Sequence, residues 1–273
     1  MNTLDALATV SRVPRPAAAS DHVRPIPIWA SGLMFAVPAL VFVVAFHVVR
    51  PWLFTLGLTP FESLVVAMTV PMSWLFGAAL VGYARVEGRP LEWRALAERF
   101  RLPRLTLRAV LAGIGLFAAC LVSMAAFSQL GLALLRGGLL PLPSELPPLV
   151  DPRVQFSLPA LEEFVGGTLS GNWSVAFAFF VMLFFNVVGE ELLWRGYLLP
   201  RQELTHGRRA WLVHGLMWAG FHSYQWWNMI ALLPVCLIIA FASQRLRNNW
   251  PALIAHYALN GLAFLMILMA VAS

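Results

Sequence analysis

Two adjacent carboxylates, Glu190 and Glu191, close the apolar run 174–188, and Arg195 follows four residues after Glu191. Between Glu163 and Glu190 the chain carries no charge at all. Ionisable side chains in such a setting are costly, and they mark functional sites unless they face a protein interior or a watery cavity. On a helix, residues four apart share a face, and neighbours point about 100° apart. Glu191 and Arg195 are therefore expected to pair, which lowers the cost of holding both in apolar surroundings. Glu190 points elsewhere, with Asn186 one turn earlier on its own face, where it either hydrogen-bonds the carboxylate or simply packs. A carboxylate without a counter-charge there is the kind of group that takes and returns a proton in acid–base catalysis.

Two later apolar segments add polar groups. His222 lies 13 residues past Arg209, about 20 Å along a helix axis, and Glu190 lies 11 residues before Arg201, about 16 Å. His256 and Asn260 share a face four residues apart, about 8–14 Å past Pro251. Three helices thus bring Glu190, His222, His256 and Asn260 to similar depths from one side. A lone intramembrane histidine serves as often to join helices as to catalyse; agreement among three segments favours a site. His47 and His214 read as packing residues, and Trp226 and Trp227 as an outer aromatic belt. Neither HExxH, GxSxG, a P-loop, nor a Cys/His cluster with zinc-ligand spacing occurs.

These groups need elements to carry them. The 273-residue chain is 60% hydrophobic and 12% charged, with mean hydropathy +0.75. Soluble domains carry about twice that charged fraction, so the fold class is all-α, a polytopic transmembrane helical bundle. A span needs about 20 apolar residues, and seven candidates emerge: 28–49, 63–83, 109–135, 174–199, 210–227, 229–243 and 252–271. Residues 91–100 read as a short amphipathic surface helix, and 158–169 as a short interfacial one. The chain divides into a flexible cytoplasmic tail (1–24), N-terminal spans (25–135) with a basic loop at 85–108, a Pro-rich extracytoplasmic loop (136–172), and a catalytic core (173–273). All 19 basic residues are arginine. Arginine-rich loops alternate with poor ones, which puts the N-terminus in the cytoplasm. The net charge of +6 has no nucleic-acid motif beside it. Cys120 and Cys236 both fall in apolar runs and read as packing residues.

Glu190-Glu191-Leu192-Leu193-Trp194-Arg195, Trp218 through His222, and His256 through Asn260 together resemble the CAAX-prenyl-protease-like (CPBP, type II CAAX) intramembrane endopeptidases. That family carries Glu-Glu-x-x-x-Arg, aromatic-x-x-x-His and His-x-x-x-Asn on separate spans. Trp218 stands where Phe is usual. The resemblance covers about residues 174–265. It implies a membrane-buried cavity in which Glu190 and His222 activate a water and His256 and Asn260 form the oxyanion hole, with Glu191 and Arg195 as a supporting ion pair. It implies a protein or peptide substrate entering from the membrane or the cytosolic side. A metal-free, glutamate-type reaction is favoured; zinc held by Glu190, His222 and His256 is the alternative. The rival from another class is a proton-coupled transporter, but the internal repeat typical of transporters is absent from the sequence. The lysine-free composition points to a bacterial cytoplasmic membrane.

Overall fold

The structure is a computed structural model and describes residues 23–148, 150–154 and 157–273. The tail expected at 1–24 lies, up to residue 22, outside them. The chain is an all-helical bundle, and five continuous helical stretches among the described residues are long and apolar enough to cross a membrane. The fourth, Trp173–Leu246, spans 74 residues. One straight helix of that length would be about 110 Å long. It folds instead into three legs, which with the other four stretches make seven helical legs among the described residues, the number the hydropathy pattern implies.

The first leg of the bundle is α1 (Ile28–Val44), prolonged by a π-helical turn at Ala45–Val49 and α2 (Arg50–Thr55). Thr59 then starts α3 (Pro60–Val81) with a reciprocal cap: its hydroxyl accepts from the Glu62 N–H, while its own N–H donates to the Glu62 carboxylate at 2.9 Å. The surface helix α4 (Trp93–Arg99) follows, and then α5 (Leu107–Arg136), whose first turn is capped by Thr106. The interfacial segment forms α6 (Leu158–Val165). The long stretch contains α7 (Trp173–Glu190), a π-helical segment Glu191–Leu198, α8 (Leu199–His206), α9 (Ala210–Phe221), a tighter helical run His222–Asn228, and α10 (Met229–Leu246). The last span is α11 (Trp250–Ala272), with Pro251 in its first turn.

Two expectations change. The fifth span does not run as one helix to residue 227. It ends at Phe221, and Gln225 breaks the helical path with φ −123° and ψ 54°. Trp226 and Trp227 do not form an outer belt. Trp227 is 2% exposed and its indole N–H donates to the Val150 carbonyl at 2.9 Å, while that of half-buried Trp226 donates to the Pro141 carbonyl at 2.8 Å. A buried indole needs an acceptor, and the Pro-rich loop supplies one to each.

Helix α7 packs against α3 so closely that their backbones nearly touch at Gly189. A β-carbon there would sit 2.9 Å from the Met72 carbonyl oxygen and 3.2 Å from the Phe76 nitrogen. Without a hydrophobic drive between spans, small residues permit the approach that makes packing favourable. Gly196 has the same function toward the surface helix, where a β-carbon would lie 2.6 Å from the Phe100 ring.

The basic loop is not merely a surface feature. Glu87 and Arg99 are buried, and the Glu87 carboxylate accepts from Arg99 at 2.6 and 2.8 Å and from Arg201 at 2.8 Å, with Arg89 3.2 Å away. Burial pushes the Arg99 guanidinium below its ordinary range, and Glu87 opposes that shift. Arg99 also donates to the Gly196 carbonyl at 2.5 Å and the Tyr197 carbonyl at 3.2 Å. An α-helix would offer Gly196 the N–H of residue 200, which is proline and has none. Arg99 supplies that donor.

Gly189→Ala is expected to force α3 and α7 apart and to lower stability by about 1–3 kcal/mol, whereas Gly115→Ala, inside α5 with its β-carbon in open space, raises it by about 0.5–1 kcal/mol. Denaturant titration of the two variants in micelles checks the contrast.

Candidate active site

Glu190, the last residue of α7, is 1% exposed. It has no charged neighbour, but it is not bare. The Asn186 amide donates to Oε1 at 2.8 Å and the Trp218 indole N–H to Oε2 at 2.7 Å. Both donors are neutral, so the carboxylate keeps its place without a counter-charge. A carboxylate offers about four lone-pair sites, so two acceptor positions remain. The Asn186 carbonyl in turn accepts from the Asn260 amide at 2.6 Å. Asn260, Asn186 and Glu190 thus form one directed chain from α11 to α7.

Glu191 opens the π-helical segment and is fully buried. It pairs with Arg195 as the spacing implied, at 3.3 Å, close enough for Coulombic attraction though not aligned as a hydrogen bond. Two further contacts were not legible. Glu191 Oε1 lies 2.9 Å from His256 Nδ1, and the Asn249 amide donates to the Glu191 backbone carbonyl at 3.0 Å. Arg195 lays its guanidinium over the Trp218 ring, 3.3 Å from the centroid, where a weakly hydrated planar cation is well accommodated. Trp218 therefore touches both halves of the site: its edge bonds Glu190, and its face carries Arg195.

His222 sits where α9 gives way to the tighter run that follows, and its Nδ1 lies 2.9 Å from the Trp218 carbonyl. A carbonyl only accepts, so Nδ1 carries the proton and a neutral His222 presents Nε2 as an acceptor. The same reasoning gives His256 an Nδ1–H directed at Glu191.

Glu190, His222, His256 and Asn260 line a single cavity of about 360 Å³, together with Asn186 and Trp218. Its remaining wall is mostly apolar and includes Met68, Met72, Met124 and Met182. Polar groups converging in an apolar concavity are the usual form of a small-molecule or substrate site. Two other histidines lie elsewhere: His47 bonds the Tyr224 carbonyl at 2.8 Å, and buried His214 bonds the Gln202 amide oxygen at 2.6 Å. Among the described residues no three His, Cys, Asp or Glu side chains are grouped to hold a metal ion. In this geometry the Glu190 oxygens face Asn186 and Trp218, and His256 turns Nδ1 to Glu191.

A seven-segment membrane bundle with a buried Glu/His/Asn cavity defines a polytopic intramembrane protein whose pocket is equipped for acid–base chemistry. Residues 172–262, a third of the chain, match the family model described as Type II CAAX prenyl endopeptidase Rce1-like and are similar to that family. The match holds all three sequence motifs. Neither a curated protein nor a solved structure matches the chain.

The Trp218–Glu190 bond is open to a double-mutant cycle. Trp218→Phe keeps a ring beneath Arg195 but removes the indole donor, and Glu190→Gln removes the charge. Hydrogen bonds to charged groups contribute about 1.5–3 kcal/mol. The two substitutions should therefore be non-additive in unfolding free energy by about that amount; strict additivity would show that the bond carries no weight.

Proposed function

We propose that the protein is an intramembrane endopeptidase of glutamate type. The convergence of Glu190, His222, His256 and Asn260, borne by three helical segments, on one buried cavity supports this reading most. Peptide hydrolysis requires a base for water, donors for the tetrahedral oxyanion, and an acid for the leaving amine.

In the proposed reaction a water molecule is held between Glu190 and Nε2 of His222. Glu190 takes one of its protons as the oxygen attacks the scissile carbonyl carbon. The carbonyl π bond opens to an oxyanion facing His256 and Asn260. Asn260 uses one amide N–H toward Asn186 and has the second for the oxyanion. His256 donates from Nε2 in its imidazolium form, and Glu191 is the carboxylate that balances that charge. The oxyanion then collapses, the C–N bond breaks, and the proton on Glu190 passes to the departing nitrogen. Glu191 and Arg195 stay outside the bond changes and hold His256 and Trp218 in place. No step passes through a metal. The substrate is a protein or peptide segment, and its path from the membrane or the cytosolic side leads to the apolar, methionine-lined wall. The arginine-rich loops support an N-terminus in the cytoplasm, and the composition supports a bacterial cytoplasmic membrane.

Membranes containing the wild-type chain should accumulate new protein termini, detectable by mass spectrometry, that fall by about a thousandfold with Glu190→Gln, within the range expected for loss of a general base. Wild-type levels of those termini in the variant would exclude Glu190 as the base. Purified, active protein should contain far less than one zinc per chain and keep its activity after chelation. Stoichiometric zinc, with activity lost on chelation and restored by zinc, would replace the glutamate mechanism with a metal one.

A further inference from the structure

A second concavity, of about 940 Å³, shares no lining residue with the first. Its walls are Trp93, Arg94 and Glu98 of α4, Arg104 of the following turn, and Arg247 and Trp250 at the turn between α10 and α11. Arg101 also lines it, but a bidentate pair with Glu203 at 2.6 and 2.7 Å neutralises that charge. Arg94, Arg104 and Arg247 are exposed, and each lacks a hydrogen-bond or ion-pair partner among the described residues. Glu98 is the one acidic side chain set against these three. The groove therefore holds an excess of two positive charges.

Its backbone is built rather than incidental. Among the described residues, Arg101 and Arg247 are the two non-glycine residues with positive φ, 58° and 48°. Each sits just past a helix end, α4 and α10, where glycine is the favoured occupant. A side chain there costs about 1 kcal/mol, so the left-handed turns place arginines at the groove against local preference. The two walls are also tied together. The Asn249 N–H donates to the Arg101 carbonyl at 2.7 Å, and the Trp250 indole to the Pro103 carbonyl at 2.6 Å.

The groove lies at the ends of spans. Leu107 begins α5, Trp250 begins α11, and Leu246 ends α10. Exposed apolar side chains flank it, with Trp93 at 70%, Leu107 at 73% and Leu105 at 53%. Tryptophan and arginine at this level are the residues of a membrane–water interface, and basic pockets at span ends recognise anionic headgroups.

We propose that this groove binds the phosphate of an anionic glycerophospholipid. Arg94, Arg104 and Arg247 donate to the phosphate oxygens, while Trp93 and Trp250 pack beside the glycerol and the first acyl carbons. The apolar flank selects a lipid over a soluble anion. The site is independent of the peptidase reading, since it shares no residue with the cavity of Glu190.

The full chain, purified in a zwitterionic detergent, can be titrated with phosphatidylglycerol or phosphatidylcholine and bound lipid counted by native mass spectrometry. Phosphatidylglycerol should bind about thirtyfold more tightly, given about 1 kcal/mol per unbalanced arginine near a headgroup. Arg94→Gln with Arg104→Gln should abolish that preference, with unfolding in phosphatidylcholine micelles unchanged. Glu98→Gln, which removes the opposing charge, should tighten phosphatidylglycerol binding about threefold, a gain that misfolding cannot mimic. Equal affinity for the two lipids in the wild type, or an unchanged preference in the arginine variant, would overturn the proposal. Displacement of the lipid by millimolar inorganic phosphate would assign the groove to a free anion and overturn it equally.

Discussion

A charge inside an apolar bundle must be partnered, and the interior of this protein is arranged around that demand. Glu191 is the centre of the arrangement. It is fully buried, draws Arg195 from the next turn and His256 from α11, and has its own backbone carbonyl bonded by Asn249. Removing one member of such a set costs about 3–5 kcal/mol, because it strands the others in a low-dielectric interior. The neighbouring carboxylate is handled differently. Glu190 is held by an amide and an indole, which fix its position and leave its negative charge uncancelled. Two adjacent glutamates thus take opposite surroundings, one paired with cations and one held by neutral donors alone.

The same demand explains the π-helical segment at Glu191–Leu198. Wide turns of this kind are uncommon and often coincide with functional sites. Here the segment carries Glu191 and Arg195, while Gly189 just before it lies against α3 and Gly196 within it against Phe100. Its far end is closed by Pro200 and by Arg99, which reaches the Gly196 and Tyr197 carbonyls from the surface helix. Arg99 can be there only because Glu87 is there to meet it. The second buried ionic cluster is therefore a clamp on the helix that bears the first.

The bundle was legible because apolar runs of span length have few other uses, and Glu190, His222, His256 and Asn260 because a polar group at depth contrasts so sharply with its background. Hydropathy located the seven segments but not the break at Gln225, since a bend within an apolar run changes no residue's polarity. The one-turn spacing of Asn186 and Glu190 allowed either a bond or mere packing, and the fold selects the bond. The His256–Glu191 contact and the Glu87–Arg99–Arg201 cluster join residues 65, 12 and 114 positions apart, and pairings of that kind are set by tertiary packing. The arginines of residues 85–108 look alike in a sequence read for orientation. Only the fold separates buried Arg99 from exposed Arg94 and Arg104. Trp226 and Trp227 read as a belt for the same reason, because an indole that faces lipid and one that bonds a loop carbonyl have identical composition.

Trp218 draws these elements together. The related motif usually carries phenylalanine at this place, whose ring could lie beneath Arg195 but could not bond Glu190. With tryptophan, the ring face meets the cation of the Glu191 node while the ring edge meets the carboxylate that the node leaves free. Its backbone carbonyl also accepts the Nδ1 proton of His222 and so sets the tautomer that bares Nε2. One residue thereby fixes the rotamer of Glu190, the tautomer of His222 and the position of Arg195. An error in its placement would disturb all three at once, and the short α9, ending only three residues later, leaves it little freedom to shift along its own axis.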